Sequence, residues 1–439
     1  MTAAGLVFSN IHDVNIPEMT AQRTMASLPF GGRYRLVDFT LSNMVNAGIT
    51  KVGIVTHNNY RSLMDHIGTG KDWDLARRSG GIMILPPFIT AFNNPRAGKL
   101  YTTRLEALMG TMEFIARCKE ELIVLSDCDM VCNLNLADVI EQHEKNAADV
   151  TIVTKSADLG KTMLSGSETI VYADDDGVIT DFAEYTQVMS GRQDISTNIM
   201  VFNKAFLLNM LHNSISHGYT DFYRQALPYS MFNARFLIYR FDGYYAEIGS
   251  LAHYFAASMN LLDPKCRGEL FAVKDRPVYT KVRNSAPAKY GHGARVKNSL
   301  IADGCVIEGS VENSILFRGV RVRKGTKVKN SILLQDTTTG ENVSLNCVIS
   351  DKNVIIRDGV KLSGHETMPF YIAKGKMLLG FYGERRALPR HRKEIMGRGA
   401  YNAERTGQIE KNTVCGQRVY ALCRHGRSGR CYGKPACRA

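Results

Sequence analysis

Two carboxylates and a short basic stretch are the residues of this chain best suited to chemistry. Asp127 and Asp129 follow the apolar run Leu122-Ile123-Val124-Leu125 and stand where a buried strand would end. Carboxylates in that place could hold a divalent cation, or they could merely solvate a loop. The stretch Pro29-Phe30-Gly31-Gly32-Arg33-Tyr34-Arg35-Leu36-Val37-Asp38-Phe39 sets two arginines close to an aspartate. Arginines are suited to an anion, while the plain structural reading pairs Arg35 with Asp38 and leaves Arg33 facing water. His12, His57 and His66 lie in polar stretches without metal-ligand spacing and are expected to be ordinary surface residues. Spacing alone brings out no Ser-His-Asp arrangement.

The elements that must position these groups show in the apolar pattern. Lys51-Val52-Gly53-Ile54-Val55-Thr56, Leu122 to Ser126 and Asp149 to Thr154 have the short continuous apolar runs of buried parallel strands. Residues 136 to 146, apolar at 136, 139 and 140, fit an amphipathic helix between strands. Alternating strands and helices predict a doubly wound α/β domain with ligands at the carboxyl ends of the strands. Its closing helix is expected at 251–262, ended by Asp263-Pro264. From about Arg295 the period changes. Asn298-Ser299-Leu300-Ile301 recurs at Asn313, at Asn330 and loosely at Asn346, with spacings of 15, 17 and 16 residues. Such a repeat, with Gly304 and Gly319 six residues after their asparagines, predicts a stacked parallel β-helix whose flat faces could join subunits.

At 439 residues and 44% hydrophobic, the chain can bury more than one core. No apolar run approaches the roughly 20 residues of a membrane span, and no secretory signal is expected. From Glu384 onward there are fourteen Lys or Arg against four Glu, so +10 of the net +13 belongs to the last 56 residues. That basic tail is expected to be disordered and accessory, or even an aberrant extension, and it lacks the stacking pattern of a nucleic-acid binder. Cys118, Cys128, Cys132, Cys266, Cys305 and Cys347 read as small hydrophobes. Cys415, Cys423, Cys431 and Cys437 crowd the tail without any Cys-x-x-Cys that would support zinc.

The order of the pieces closely resembles glucose-1-phosphate adenylyltransferase, the ADP-glucose pyrophosphorylase family. The resemblance rests on Arg33 to Asn43, Asn46-Ala47-Gly48-Ile49, Leu85-Pro86-Pro87, Thr220-Asp221-Phe222, Tyr244 to Ser250, and Gly309 to Phe317. It covers about residues 4 to 383. It implies an α/β doubly wound nucleotidyltransferase-like domain at 1–262, a linker at 263–294, a C-terminal left-handed parallel β-helix at 295–383, and the tail at 384–439.

The family joins ATP and glucose 1-phosphate to give ADP-glucose and pyrophosphate, and its chemistry asks for phosphate donors, cations and magnesium-holding carboxylates. Matched position by position, the resemblance puts Asp129 on the catalytic aspartate and Glu247 on the second metal carboxylate, so magnesium is implied only if both still serve. The family's loop Gly-Gly-x-Gly-x-Arg-Leu is absent: Leu6 to His12 stands there, and only Gly5 answers to a glycine. The lysine of Arg-Ala-Lys-Pro-Ala falls on Met25, and the sugar-phosphate lysine on Tyr185. The family's Gly-Thr-Ala-Asp-Ala reads Thr103-Arg104-Leu105-Glu106-Ala107.

These departures resemble the non-catalytic, regulatory-subunit branch in bacterial glycogen synthesis. The implied protein is cytoplasmic and works in a hetero-oligomer with a catalytic subunit. Arg33 matches an effector-contact position, and the implied small-molecule partner is a sugar-phosphate effector or a nucleotide. An active adenylyltransferase with a rebuilt loop is the alternative, and returning lysine at 25 and 185 is expected to raise any residual activity.

Overall fold

The buried apolar runs assemble into one mixed sheet. The computed structural model describes residues 2–87, 101–160, 162, 164, 166 and 168–379. At the centre, strand Ala3–Phe8 lies parallel to both Leu122–Asp127 and Lys51–Val55, and Lys51–Val55 is parallel to Gly81–Leu85. Strand Leu122–Asp127 is buried along its whole length, as a central strand covered on both faces must be. The expected third strand is Val150–Asp158, but it enters the sheet through an antiparallel neighbour, Arg192–Asn203, and runs parallel only to Phe236–Arg240. Helix Leu136–Lys145 buries Leu136, Val139 and His143. Helix Leu251–Asn260 forms where the closing helix is expected. Pro264 then opens a further helix, Pro264–Phe271, whose N-cap Asp263 accepts from the Lys265 N–H. Proline tolerates a first helical turn because its missing N–H has no partner there.

The C-terminal part is a left-handed parallel β-helix built of three parallel sheets. The first of these starts with Lys289–Tyr290, ahead of Arg295. The repeated asparagines have a backbone cause: Asn298, Asn313 and Asn330 hold φ of 41°, 45° and 44° at the corners, a region asparagine tolerates better than other side-chain-bearing residues. Their amides also stack, Asn298 donating to Asn313 at 2.9 Å and Asn330 to Asn346 at 3.1 Å. At the fourth coil the positive φ falls on Cys347, which is why the repeat loosens there. Gly319, at φ 74°, lies against Asp336, where a Cβ would come within 2.3 Å of a carboxylate oxygen.

The β-helix and the N-terminal part share a core. Met25, Phe30, Phe39, Tyr254 and Leu261 pack in one buried cluster with Ile315, Phe317, Ile332 and Ile349. Beside it, Arg23 Nη2 donates to both oxygens of Asp351, at 2.8 and 2.7 Å, with both side chains buried. Tyr371 donates to the same carboxylate at 2.8 Å. Five of the six body cysteines are buried and all six are free, in keeping with a role as small hydrophobes. Among the described residues no helix is long and apolar enough to cross a membrane. The basic tail and its four cysteines lie outside the described residues.

Removing one partner of a buried pair strands the other charge, at about 3–5 kcal/mol. Asp351→Asn is therefore expected to lower the urea midpoint strongly, and the apolar double variant Arg23→Met with Asp351→Leu to lower it less. Equal losses in the two variants would mean that packing, and not charge, holds this seam.

Candidate functional site

At the carboxyl end of the central strands the buried carboxylates are not bare. Asp127, 0% exposed, ends strand Leu122–Asp127, and Asp129, 1% exposed, lies two residues beyond. His12 reaches them from the segment after strand Ala3–Phe8. That segment is pinned by Ser9, whose N–H and hydroxyl both donate to the Val55 carbonyl, and it closes in a helical turn at Asp13–Asn15. His12 Nε2 lies 2.7 Å from Asp127 Oδ2 and 3.3 Å from Asp129 Oδ2. Arg104, the first residue of helix Arg104–Met109, donates to the same Asp127 oxygen and to the Tyr223 hydroxyl at 3.2 Å. Its guanidinium also lies over the rings of Phe8, Phe222 and Tyr223, an arrangement that favours a cation. Tyr223 in turn meets Ser196 and donates to Asn198.

The electrostatics follow from this geometry. Burial by itself pushes the His12 imidazole down, but Asp129 and then Asp127 outweigh it and carry its pKa up to about 9. Burial works to raise Asp127, yet Arg104 and His12 hold its carboxyl below the ordinary value. Asp129 goes up, chiefly because it is buried. His12, Asp127 and Asp129 form a group whose ligand atoms lie within 4.8 Å of one another, the three described residues best placed to hold a metal.

Each residue singled out in the sequence has a definite place. Glu247 ends strand Tyr245–Glu247, opposite Met130, and the next N–H, of Ile248, donates to the Asp129 carbonyl at 2.6 Å. Tyr245 feels the charge of both Glu247 and Asp129, so the two carboxylates share a neighbourhood. Met25 is 1% exposed in the apolar core, and only its backbone N–H, donating to Asp13 at 2.6 Å, faces a polar group. A lysine at 25 would bury a charge, so the expected gain from Met25→Lys does not follow. Tyr185 is half-buried against Leu159, Ile170 and Ile195. Gly5 is inside strand Ala3–Phe8, where a Cβ would strike Met44 at 2.5 Å; it serves helix packing, not a phosphate cradle. Glu106 accepts from Thr102 while Thr103 caps the helix, so this pair is spent on the helix start.

The histidine expectation is corrected. His12 is 22% exposed and bridges the carboxylates; His66 is buried, 2.6 Å from Asp38 Oδ1; half-buried His57 packs edge-on to Tyr101. A buried aspartate needs partners, and His66 is the side chain that meets Asp38 among the described residues. Asp38 also accepts from the Arg35 backbone N–H, while the Arg35 guanidinium turns to Ser62. The expected Arg35–Asp38 side-chain pair is thus replaced by His66–Asp38.

A second locus is cationic. Exposed Arg33 lines a pocket with Arg35, Lys281, Arg283, Arg318 and Lys352, between loop 29–35 and corners of the β-helix. Burial, followed by Arg35 and Arg23, brings the Lys352 amine down to about 7. Burial likewise lowers Arg35 to about 10.

With this geometry in hand, likeness to known proteins is specific. Residues 17–264 match the nucleotidyl transferase family, beginning after the segment that carries His12, and residues 285–367 match the GlmU-like C-terminal hexapeptide. Over 373 residues the chain is 33% identical to the glycogen biosynthesis protein GlgD of Bacillus subtilis (strain 168), covering 84% of this chain and 95% of that protein. It is 30% identical over 363 residues to the glucose-1-phosphate adenylyltransferase of Bacillus cereus (strain Q1), covering 82% and 94%. The enzyme of that name from Clostridium botulinum (strain Eklund 17B / Type B) is 33% identical over 319 residues, covering 72% and 80%.

Lys352 gives a pH signature. Its folded pKa of about 7 lies below the ordinary 10.5, so between those values the unfolded chain binds the extra proton and stability rises with pH. Below about 7 both states are charged and the full penalty remains. Lys352→Met is expected to flatten the rise in urea midpoint between about pH 7 and 9; an unchanged slope would assign it to other groups.

Proposed function

From a chain that belongs to the glucose-1-phosphate adenylyltransferase family, we infer a regulatory subunit of that enzyme in glycogen synthesis, with little or no catalysis of its own. The observation that carries this reading is the buried cluster of His12, Arg104, Asp127 and Asp129. Nucleotidyl transfer needs donors around the triphosphate and cations that offset charge as pyrophosphate leaves. In this chain the segment at the phosphate-loop position delivers His12 to the carboxylates, Met25 points into the core, and Tyr185 has no fixed charge. Likeness to the glycogen biosynthesis protein GlgD supports the link to glycogen synthesis.

The reading gives the β-helix the task of joining a catalytic homologue in a cytoplasmic hetero-oligomer. It gives the cationic pocket around Arg33 the task of binding a sugar-phosphate effector. Six basic side chains around one opening favour a multiply charged anion. An anion there would also draw the Lys352 amine back toward its ordinary pKa, so effector binding would take up protons near neutral pH.

The test is ADP-glucose formation from ATP and glucose 1-phosphate with magnesium, by this chain alone and together with a catalytic homologue from the same cell. Loss of one charge-stabilising donor typically costs about 10²–10³ in rate, so the chain alone is expected at least that far below the homologue. The mixture is expected to differ from the homologue in rate or effector response. Turnover alone at the homologue's rate would instead establish the chain as an adenylyltransferase in its own right.

A further inference from the structure

The two retained carboxylates need an explanation in a chain with so little grip on phosphate. Magnesium is the family's answer, and it demands nearly octahedral oxygen ligands while keeping several waters. The residues present do not fit it. Asp127 Oδ2 already accepts from the Arg104 guanidinium and lies 2.7 Å from His12 Nε2. His12 Nε2 lies between the two carboxylates, 2.7 Å from one and 3.3 Å from the other. The Arg104 guanidinium cannot shed its charge to admit another cation, and three aromatic rings hold it in place. A divalent ion would enter a buried volume where two negative groups already face two basic ones.

We propose that His12 and Arg104 are built-in partners that take over the place of a divalent metal at Asp127 and Asp129, closing this site to magnesium. The carboxylates are then retained as partners of an internal ion cluster that ties three segments together: the turn after strand Ala3–Phe8, the end of strand Leu122–Asp127, and the start of helix Arg104–Met109. Among the described residues Asp127 Oδ1 is buried without a hydrogen-bond partner, and Asp129 Oδ2 has only the 3.3 Å contact with His12 Nε2. They are atoms a metal ion would take if His12 and Arg104 were removed.

The experiment titrates the full chain with Mn²⁺, reading bound ion from loss of the free-ion electron paramagnetic resonance signal and stability from thermal melting. The wild-type chain is expected to leave the Mn²⁺ signal unchanged and to melt at the same temperature with and without the ion. His12→Asn with Arg104→Gln is expected to melt lower, to take up one Mn²⁺, and to recover by about 2–4 °C or more when it does. Should the double variant not fold, Arg104→Gln alone is read in the same way. Two results would overturn the proposal: one Mn²⁺ bound by the wild type and lost in Asp129→Asn, or a folded variant that takes up none. The inference rests on reading this place as the family's catalytic site, not on the partner role. Mn²⁺ uptake by the wild type would leave any effect on a catalytic homologue standing, and absence of that effect would leave the cluster as described.

Discussion

Two carboxylates buried side by side impose the constraint around which the N-terminal part is organised. An ionised group out of water is tolerated only when paired and hydrogen-bonded, and Asp127 and Asp129 occur two residues apart with almost no exposure. An enzyme can meet that demand with metal and substrate, which come and go. Here the positive charge comes from the chain itself, through His12 and Arg104. Because those two side chains must arrive at the same oxygen, the turn at 9–15 and the start of helix Arg104–Met109 are fixed relative to the central strand.

The same logic links the β-helix to the sheet. Arg23, which matches the arginine of the family's Arg-Ala-Lys-Pro-Ala, gives its guanidinium to Asp351 of the β-helix. Lys352 follows directly and faces the cationic pocket, and its amine is lowered partly by Arg23. Two residues beyond Arg23, the Met25 N–H donates to Asp13, the neighbour of His12. Burial raises Asp13 to about 7. A short run of chain thus links the pocket to the segment that carries His12 through two polar contacts, Arg23 to Asp351 and Met25 to Asp13. Coupling between an effector locus and the rest of a molecule can travel through packed polar contacts of this kind.

Much of the fold was legible because local rules agree with the tertiary outcome. Asparagines recur where a corner needs positive φ, and of each apolar pair one residue (Ile301, Leu316, Leu333, Val348) packs in the β-helix core while the other (Leu300, Ile315, Ile332, Ile349) packs against the N-terminal part, so spacing alone disclosed the coils. Continuous apolar runs marked the central strands, but the antiparallel insertion of Arg192–Asn203 carries no distinguishing pattern. The candidate site was legible only in its carboxylates. His12 lies 115 residues from Asp127 and Arg104 lies 23 away, and no periodicity connects them. Polar neighbours made His12 and His66 look like surface residues, whereas a buried aspartate had claimed each. Met25 read as a lost cation at an open site; the chain had instead turned that side chain into the core.

The central claim is that internal charges have replaced the grip on a nucleotide. Equilibrium dialysis of ATP with magnesium against the purified chain, beside a catalytic homologue as control, tests it most directly. The account predicts no saturable binding to this chain over concentrations that fill the homologue. Binding at comparable affinity would contradict it, because the triphosphate would then be held without the phosphate loop and with Met25 turned into the core.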